Sequence, residues 1–280
     1  MSGGVDSEAM AMAFLEAGIP VRAAIGIYGP NAMNTEDVAD AFLFCRRHDI
    51  PVQEIPVDLT EFFESDRHLE YGRRFSCASP QLAVHLHLLS RIKGVPVLAW
   101  NPTEIEWNAR ERRIKFLLPS EPHMSYLRYF ALEKRPGVPF FFAYTPELIY
   151  SFWNTPQFRE DLQRAHRESS APDTPPESRF SYWLKVKKYQ QGGFPVIARH
   201  RKRTGFEEAK IFFKNRFAEK NQFSEMPQVD AFDFFFRKPL EKISPYPSRT
   251  IQIVPSRFFP HPEFFPMSFP EKGRGPANQK

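Results

Sequence analysis

The chain has 280 residues, 42% of them hydrophobic, and a formal net charge of +5 at pH 7. No run of eighteen apolar residues predicts a membrane-spanning helix, and no basic segment followed by an apolar stretch predicts a secretory signal. Two cysteines, Cys45 and Cys77, are too few for a disulfide framework or a zinc cluster, so we expect a cytoplasmic protein without membrane contact.

The amino-terminal part of the chain alternates between helical and strand patterns. Residues 5–17 carry small apolar side chains at helical spacing and end before Gly18. Residues 21–29 form an almost wholly apolar run, which is typical of a buried parallel strand. The alternation favours an α/β fold with a parallel sheet. The predicted helices are residues 5–17, 34–50 (capped by Asn34 or Thr35) and 79–94 (capped by Ser79), and the predicted strands are residues 21–29, 51–59, 95–101 and 138–144.

The later part of the chain predicts a helical extension followed by an aromatic arm. Residues 145–166 and the two ends of residues 180–220 have helical patterns, and a basic run lies in residues 199–205. Residues 225–280 contain Phe-Pro clusters, which rarely form regular elements. We expect this arm to pack on its own domain or on the second subunit of a homodimer, and its last nine residues to be disordered. The predicted domains are residues 1–150, 151–224 and 225–280.

The segment Ser2-Gly3-Gly4-Val5-Asp6-Ser7 carries the clearest chemical signal. Its glycines permit backbone angles closed to other residues and let a ligand approach the main chain. The segment enters the amino-terminal end of a helix, where amide N–H groups lack partners and the macrodipole is positive. Hydroxyl donors from Ser2 and Ser7 complete an anion site suited to phosphate. Asp6 fits such a site if it holds a Mg²⁺ ion that bridges the phosphates.

This segment resembles the PP-loop signature, Ser-Gly-Gly-x-Asp-Ser, of the ATP pyrophosphatase family, also called adenine nucleotide alpha hydrolases. The resemblance extends over residues 2–104. It implies a doubly wound parallel sheet of the HUP type, with residues 1–150 as the nucleotide-binding domain. Family members cleave ATP between the α and β phosphates, transfer AMP to a carbonyl, carboxylate or carbamoyl-type oxygen, and release pyrophosphate. A nitrogen or sulfur nucleophile then displaces AMP.

The resemblance therefore implies an adenylating enzyme that uses ATP and Mg²⁺. It implies that the whole loop binds the nucleotide, that Ser2, Asp6 and Ser7 are catalytic, and that Asp6 is a metal ligand. In the family this loop follows the central first strand of the sheet. Because the loop here begins at residue 2, we expect that strand to be missing and its neighbours to lose their pairing partner. A start codon assigned too late is the explanation we favour over a trimmed or a truncated chain.

A second group of nucleotide contacts is implied at the end of the strand over residues 21–29. In the family this strand end lines the adenine and ribose pocket, which implies contacts from Ile25, Gly26 and Ile27. Gly26 would allow close approach, and Ile27 would pack on the base. Ordinary core packing is an equal alternative for each of the three.

A third group follows the strand predicted over residues 95–101. Asn101, Thr103 and Glu104 are similar to the Asn-x-x-Glu stretch of NAD synthetase, which contacts ATP and metal. Strand carboxyl ends are where open α/β sheets bind ligands. The likeness implies nucleotide contacts for Asn101 and Thr103 and a second magnesium ligand in Glu104, and a plain surface loop is the alternative.

The basic run of residues 199–205 supplies candidate cations for the polyphosphate. Arg201 and Lys202 are expected to close over the triphosphate and to stabilise charge on the leaving pyrophosphate. Lys185, Lys187 and Lys188 precede the run on a predicted helix and widen this basic patch. The alternatives are an RNA-binding surface and a solvated face.

Motifs that the sequence lacks leave the acceptor open. It contains no glutaminase domain, no zinc cysteines of the deazaguanine synthase type, no paired cysteines of the iron–sulfur tRNA thiolases and no late cysteine motif of PAPS reductase. Our leading expectation is a small-molecule acceptor. The alternatives are a tRNA-modifying enzyme that uses the basic patch, and a PAPS reductase-like or non-catalytic nucleotide-binding protein.

Overall fold

The computed structural model of the chain has a mixed α/β architecture. It describes residues 1, 3–99, 104–108, 113–143, 176–197, 205–219, 236, 238–243 and 250–253. The helices in this part of the chain are α1 (Val5–Glu16), α2 (Thr35–Arg47), α3 (Leu59–Glu64), α4 (Arg67–Phe75), α5 (Pro80–Arg91), α6 (Ser120–Leu132), α7 (Pro176–Gln191), α8 (Glu207–Glu219) and α9 (Lys238–Ile243). The strands are β1 (Ala23–Gly29), β2 (Val52–Asp58), β3 (Glu104–Asn108), β4 (Arg113–Pro119) and β5 (Thr250–Ile253).

Strands β1 and β2 form a two-stranded parallel sheet in which Ala23 lies opposite Val52. Helix α2 connects them, as the predicted alternation of strand and helix requires. On β2, Ile55 and Val57 are buried while their neighbours are exposed, because only one face of this strand meets the core. The sheet and its helices confirm the α/β class.

Two helix starts show how local chemistry sets the boundaries. The Ser79 hydroxyl accepts a hydrogen bond from the Leu82 amide at 3.4 Å, and Pro80 occupies the first helical position, as predicted. At the start of α2, Asn34 occupies the capping position but its side chain makes no cap hydrogen bond. The Asn34 side chain bonds to β1 instead, as described below.

The two further parallel strands predicted over residues 95–101 and 138–144 do not form as full strands in the described residues. The described part of the first makes a single parallel bridge, between Val97 and Val138. Hydrogen bonds from Leu98 N to Val138 O (2.8 Å) and from Val138 N to Pro96 O (2.9 Å) hold the two segments together. A third hydrogen bond, from Phe141 N to Leu98 O (3.0 Å), ends the pairing where a 3₁₀ turn begins. In the other direction, Pro96 has no N–H to extend it.

An antiparallel sheet that the sequence did not predict joins the middle of the chain to its arm. Strands β3 and β4 pair with Glu104 opposite Leu117, and β4 pairs with β5 with Phe116 opposite Ile253. The order is β3-β4-β5. Residues 250–253 therefore form a regular element inside the arm, where we expected none.

The main core is aromatic. Phe63 stacks on Phe236 with ring centroids 4.1 Å apart, and Phe213 meets both rings edge to face. Nearby, Gly72 of α4 lies very close to α9. A Cβ added to Gly72 would lie 2.5 Å from Leu240 Cδ2. Phe236 and Leu240 belong to the predicted arm, so this described part of it packs on its own domain.

Several predictions fall outside the described residues. These are the helix over residues 145–166, the basic run up to residue 204, most of the aromatic arm and its last nine residues. Across the described part of the chain, every helix is too short or too polar to cross a membrane.

Candidate functional site

The loop before α1 presents the first turn of that helix. Gly4 is the capping residue, with extended backbone angles (φ −77°, ψ 153°), and glycine has no side chain to cap the helix. Its carbonyl oxygen accepts hydrogen bonds from the Ser7 amide (3.0 Å), the Glu8 amide (3.1 Å) and the Ser7 hydroxyl (2.8 Å). The amides of Val5 and Asp6 precede the first intrahelical hydrogen bond, so they have no acceptor within α1. This geometry gives the turn donors for an anion.

Close packing against α2 requires a glycine at position 3. Gly3 has a positive φ of 70°, which disfavours other residues. A Cβ at this position would lie 2.7 Å from the Ala41 amide nitrogen and 2.9 Å from the Asp40 Cβ, both in α2. The close neighbour that requires glycine here is the backbone of α2, whereas we had expected a ligand.

Asp6 is held by two side chains from a distant helix. The Tyr189 hydroxyl donates a 2.6 Å hydrogen bond to Asp6 Oδ1, and Lys185 Nζ lies 3.6 Å from Asp6 Oδ2. The Asp6 side chain keeps 28% of its surface exposed, compared with 13% for Lys185. A carboxylate, a phenol and an ammonium group therefore meet in the first turn of α1, at the edge of solvent.

Apolar packing positions this cluster. Val5 and Ala9 on α1 are buried against Val186, Tyr189 and Val196. Lys185 and Tyr189 are four residues apart on α7, so they share one face of that helix. Docking of α7 on α1 therefore places both polar groups at Asp6.

The residues expected to line the adenine pocket divide between two faces of β1. Ile25 is fully buried in the core between the sheet and helices α1 and α2, and Ile27 packs against the same cluster. An alternating strand directs Gly26 and Tyr28 to the other face. The alternative weighed for Ile25, ordinary core packing, is the one observed.

The space that Gly26 opens is filled by protein. A Cβ on Gly26 would lie 3.0 Å from Leu88 Cδ1 and 3.1 Å from Tyr28 Cε1. The Tyr28 ring therefore lies over the strand at the place where we expected the base. Burial raises the pKa of Tyr28, and the nearby Tyr126 and Asp37 raise it further, so the phenol stays neutral.

One edge of β1 has no neighbouring strand in the described structure. The Ala23 amide bonds to the Pro51 carbonyl on the β2 side, so alternate residues of β1 face the opposite edge. There the Asn34 side chain accepts from the Tyr28 amide (2.9 Å) and donates to the Gly26 carbonyl (2.8 Å), and the amino group of Met1 donates to the Ala24 carbonyl. A side chain and a terminal amine satisfy groups that a strand would otherwise pair.

Of the remaining candidate residues, the structure describes the backbone of Glu104. Glu104 begins β3, where its backbone pairs with that of Leu117. No group of three His, Cys, Asp or Glu side chains that could hold a metal occurs among the described residues. A Mg²⁺ ion bound mainly through phosphates and water needs only one or two carboxylates, and Asp6 fits that role. Ser2, Asn101, Thr103, Arg201 and Lys202 lie outside the described residues.

Sequence reasoning did not predict either partner of Asp6, although it did single out Lys185. Lys185 was predicted as part of the basic patch. Tyr189 lies four residues later on the same helix, and this spacing could have indicated that Tyr189 shares the face of Lys185. Lys188 does not extend that patch, because it is buried and bonds to the Gln191 side chain at 3.2 Å.

In comparisons with known proteins, no family model matches this chain, and no curated protein or solved structure is significantly similar to it.

Proposed function

We propose that this chain is an ATP pyrophosphatase of the PP-loop type, which binds Mg²⁺-ATP at the loop before α1 and transfers AMP to a small-molecule carbonyl or carboxylate. A nitrogen or sulfur nucleophile then displaces AMP from the activated acceptor. The observation that carries the proposal is the cluster of Asp6, Tyr189 and Lys185 in the first turn of α1. The loop sequence and the free amides of that turn support the same assignment.

Each group of the cluster has a defined role. The amides of Val5 and Asp6 bind phosphate oxygens, aided by the positive end of the α1 dipole. The Lys185 ammonium, already beside the loop, moves the short distance from Asp6 to the phosphates and stabilises negative charge on the departing pyrophosphate. The Tyr189 hydroxyl keeps the Asp6 carboxylate oriented throughout.

Asp6 is the described residue that would hold Mg²⁺. Its carboxylate is partly exposed, and its contact with Lys185 is loose at 3.6 Å, so one oxygen is accessible to an incoming cation. When bound, Mg²⁺ supplies neutralisation of the phosphate charge. Arg201 and Lys202 remain proposed additional cations, and Glu104 remains the proposed second ligand.

The proposed fold is a doubly wound parallel sheet in which a further strand pairs with the free edge of β1. The groups of Ala24, Gly26 and Tyr28 at that edge have the alternation and direction of a parallel ladder. In this proposed sheet, the segments joined by the parallel bridge between Val97 and Val138 would lie beyond that further strand.

Two measurements test the proposed function. Isothermal titration with Mg²⁺ and a non-hydrolysable ATP analogue reports binding, and pyrophosphate release from ATP in a pool of carboxylate metabolites reports turnover. We expect Asp6→Asn to lose the magnesium dependence of binding and Lys185→Met to lower pyrophosphate release at least a hundredfold. Lys187→Met removes the same charge from the same helix and should change neither. Equal binding by wild type and by Asp6→Asn would exclude Asp6 as the metal ligand.

Turnover also separates the proposed function from its alternatives. Co-purified tRNA whose release depends steeply on salt would favour a tRNA substrate. Nucleotide binding without pyrophosphate release under any condition would indicate a binding protein.

A further inference from the structure

The segment that leads into α8 covers the carboxyl end of β1. Phe206 is fully buried, and its ring centroid lies 4.9 Å from that of Tyr28 and 5.6 Å from that of His85. The Glu207 carboxylate accepts hydrogen bonds from the amides of Gly205 and Phe206 at 3.1 and 3.2 Å, which fixes the turn before the helix. Phe206 therefore reaches β1 as part of a rigid turn.

Reciprocal caps lock this segment onto α2. The Glu208 carboxylate accepts hydrogen bonds from the amides of Glu36 and Asp37 at 2.9 and 3.1 Å, in the first turn of α2. In return, the Asp37 carboxylate accepts from the Glu208 amide at 3.3 Å. A side chain distant in sequence thus occupies an anion-binding helix end immediately after β1.

These contacts form one stack over the strand. The Leu88 side chain and the Tyr28 ring fill the space above Gly26, and Phe206 packs on Tyr28. A planar base that approaches Gly26 must move Leu88 and the Tyr28 ring, on which Phe206 packs. The aromatic ring occupies the position expected for the base of a nucleotide, and the adjoining carboxylate anchors this segment to α2.

We propose that residues 205–208 are an internal plug of the nucleotide site, closed in the structure described here and displaced when the nucleotide binds. This inference rests on the proposed function, because it takes the carboxyl end of β1 as the base site. Binding would then require Phe206 to leave Tyr28 and Glu208 to leave the first turn of α2. Only the open form binds, so the apparent Kd equals the Kd of the open form divided by the fraction of molecules that are open.

The first test compares affinities for Mg²⁺ with a non-hydrolysable ATP analogue. Phe206→Leu and Glu208→Gln weaken the plug at two separate contacts, and each should lower the Kd about tenfold, as expected for a shifted closed–open equilibrium. Phe213→Leu alters a buried aromatic residue of the same helix that packs on Phe63, away from β1, and should leave the Kd unchanged.

Hydrogen exchange on the wild-type chain gives a second test that needs no variant. Saturation with the same analogue should speed exchange at the amides of Phe206, Glu208, Glu36 and Asp37. Slower exchange at these amides would overturn the plug, because it would show that residues 205–208 close over the bound nucleotide and are not displaced by it. Unchanged affinity in both weakened variants, with clear binding by wild type, would overturn the plug and leave the proposed function standing. Absence of binding by all the proteins would overturn both.

Discussion

The Tyr189 hydroxyl donates a 2.6 Å hydrogen bond to the Asp6 carboxylate across 183 positions of the chain. The loop before α1 therefore does not form a site by itself. Its one carboxylate is oriented by α7, and α7 is held by apolar packing of Val186 and Tyr189 on Val5. Any change that loosens this docking should alter the site without touching the loop.

Replacement of Tyr189 by phenylalanine tests that dependence. The variant keeps the buried ring and removes only the hydroxyl, so we expect a loss of about 1.5–3 kcal/mol in unfolding free energy, the usual contribution of a hydrogen bond to a charged acceptor. The freed Asp6 oxygen should also weaken Mg²⁺-ATP binding several-fold. Urea unfolding and calorimetric titration measure the two effects. Tyr182→Phe, in the same apolar cluster, is the control, and an equal loss of affinity there would contradict a specific role for the hydroxyl.

Asn34→Ala tests the bonds at the free edge of β1. The variant leaves the Gly26 carbonyl and the Tyr28 amide without the partner that Asn34 provides in this partly buried position. Two lost hydrogen bonds with unsatisfied backbone groups should destabilise the fold by about 2–4 kcal/mol, measured by urea unfolding. Thr35→Ala, which removes a hydroxyl that bonds to the Ala32 carbonyl on the exposed side, should cost far less. Similar losses in the two variants would show that the Asn34 bonds add little.

An engineered strand joined before Met1 tests whether that edge accepts a ladder. Burial lowers the pKa of the Met1 amino group to about 6, so this group gains little from its position beside Ala24. Five apolar β-branched residues placed ahead of Met1 should pair with β1 and raise the midpoint of thermal unfolding by several degrees. The same length with two prolines cannot complete the ladder. An equal rise for both extensions would argue against pairing.

Local sequence signals predicted most helices and strands of the amino-terminal part of the chain. Helices α1, α2 and α5 and strands β1 and β2 lie where periodicity and turn residues place them, because their boundaries depend on neighbouring residues such as Ser79 and Pro80. Asn34 also shows where this reasoning ends. A capping residue was expected at the start of α2, but two unpaired backbone groups on β1 compete for its side chain.

Contacts between distant segments could not be predicted in this way. Strand β5, in the arm, pairs with β4, in the middle of the chain, and the sequence around Ile253 resembles a proline-rich arm. Glu208 and Asp37 each match an ordinary acidic first turn, and nothing local indicates that they exchange caps. Gly3 was predicted to let a ligand approach the main chain, but its closest neighbour is α2, which only the tertiary structure reveals.

Substitution of Gly3 by alanine separates packing from backbone conformation. Gly3 and Gly18 have similar positive φ values, 70° and 68°, so alanine should cost about 1 kcal/mol at either position for that reason alone. A Cβ on Gly18 meets nothing within 4 Å, whereas one on Gly3 would clash with the α2 backbone. Gly3→Ala should therefore destabilise the fold by about 1–3 kcal/mol more than Gly18→Ala in urea unfolding. Equal losses of unfolding free energy in the two variants would mean that α2 moves to accommodate the added Cβ at little cost.

Buried histidines should make the fold sensitive to acid. Burial lowers the pKa of His68 from 6.5 to about 4, with a small opposing effect of Asp66, and burial lowers that of His87 to about 4 as well. Between pH 6.5 and 4 the unfolded chain binds protons that the folded chain excludes, so stability falls as the pH drops through this window. The slope is about 1.4 kcal/mol per pH unit for each histidine.

His68→Phe tests this origin of acid sensitivity. His68 lies against the rings of Phe63 and Phe236, and its Nδ1 has no hydrogen-bond partner among the described residues, so a phenyl ring suits the site. We expect the variant to match or exceed wild type at pH 7.5 and to gain on it progressively from pH 6.5 down to about 4. Urea unfolding at half-unit pH steps measures the difference between the two proteins, which cancels most contributions from other titrating groups. A difference that stays constant over this range would show that His68 takes up a proton in the folded protein as readily as in the unfolded chain.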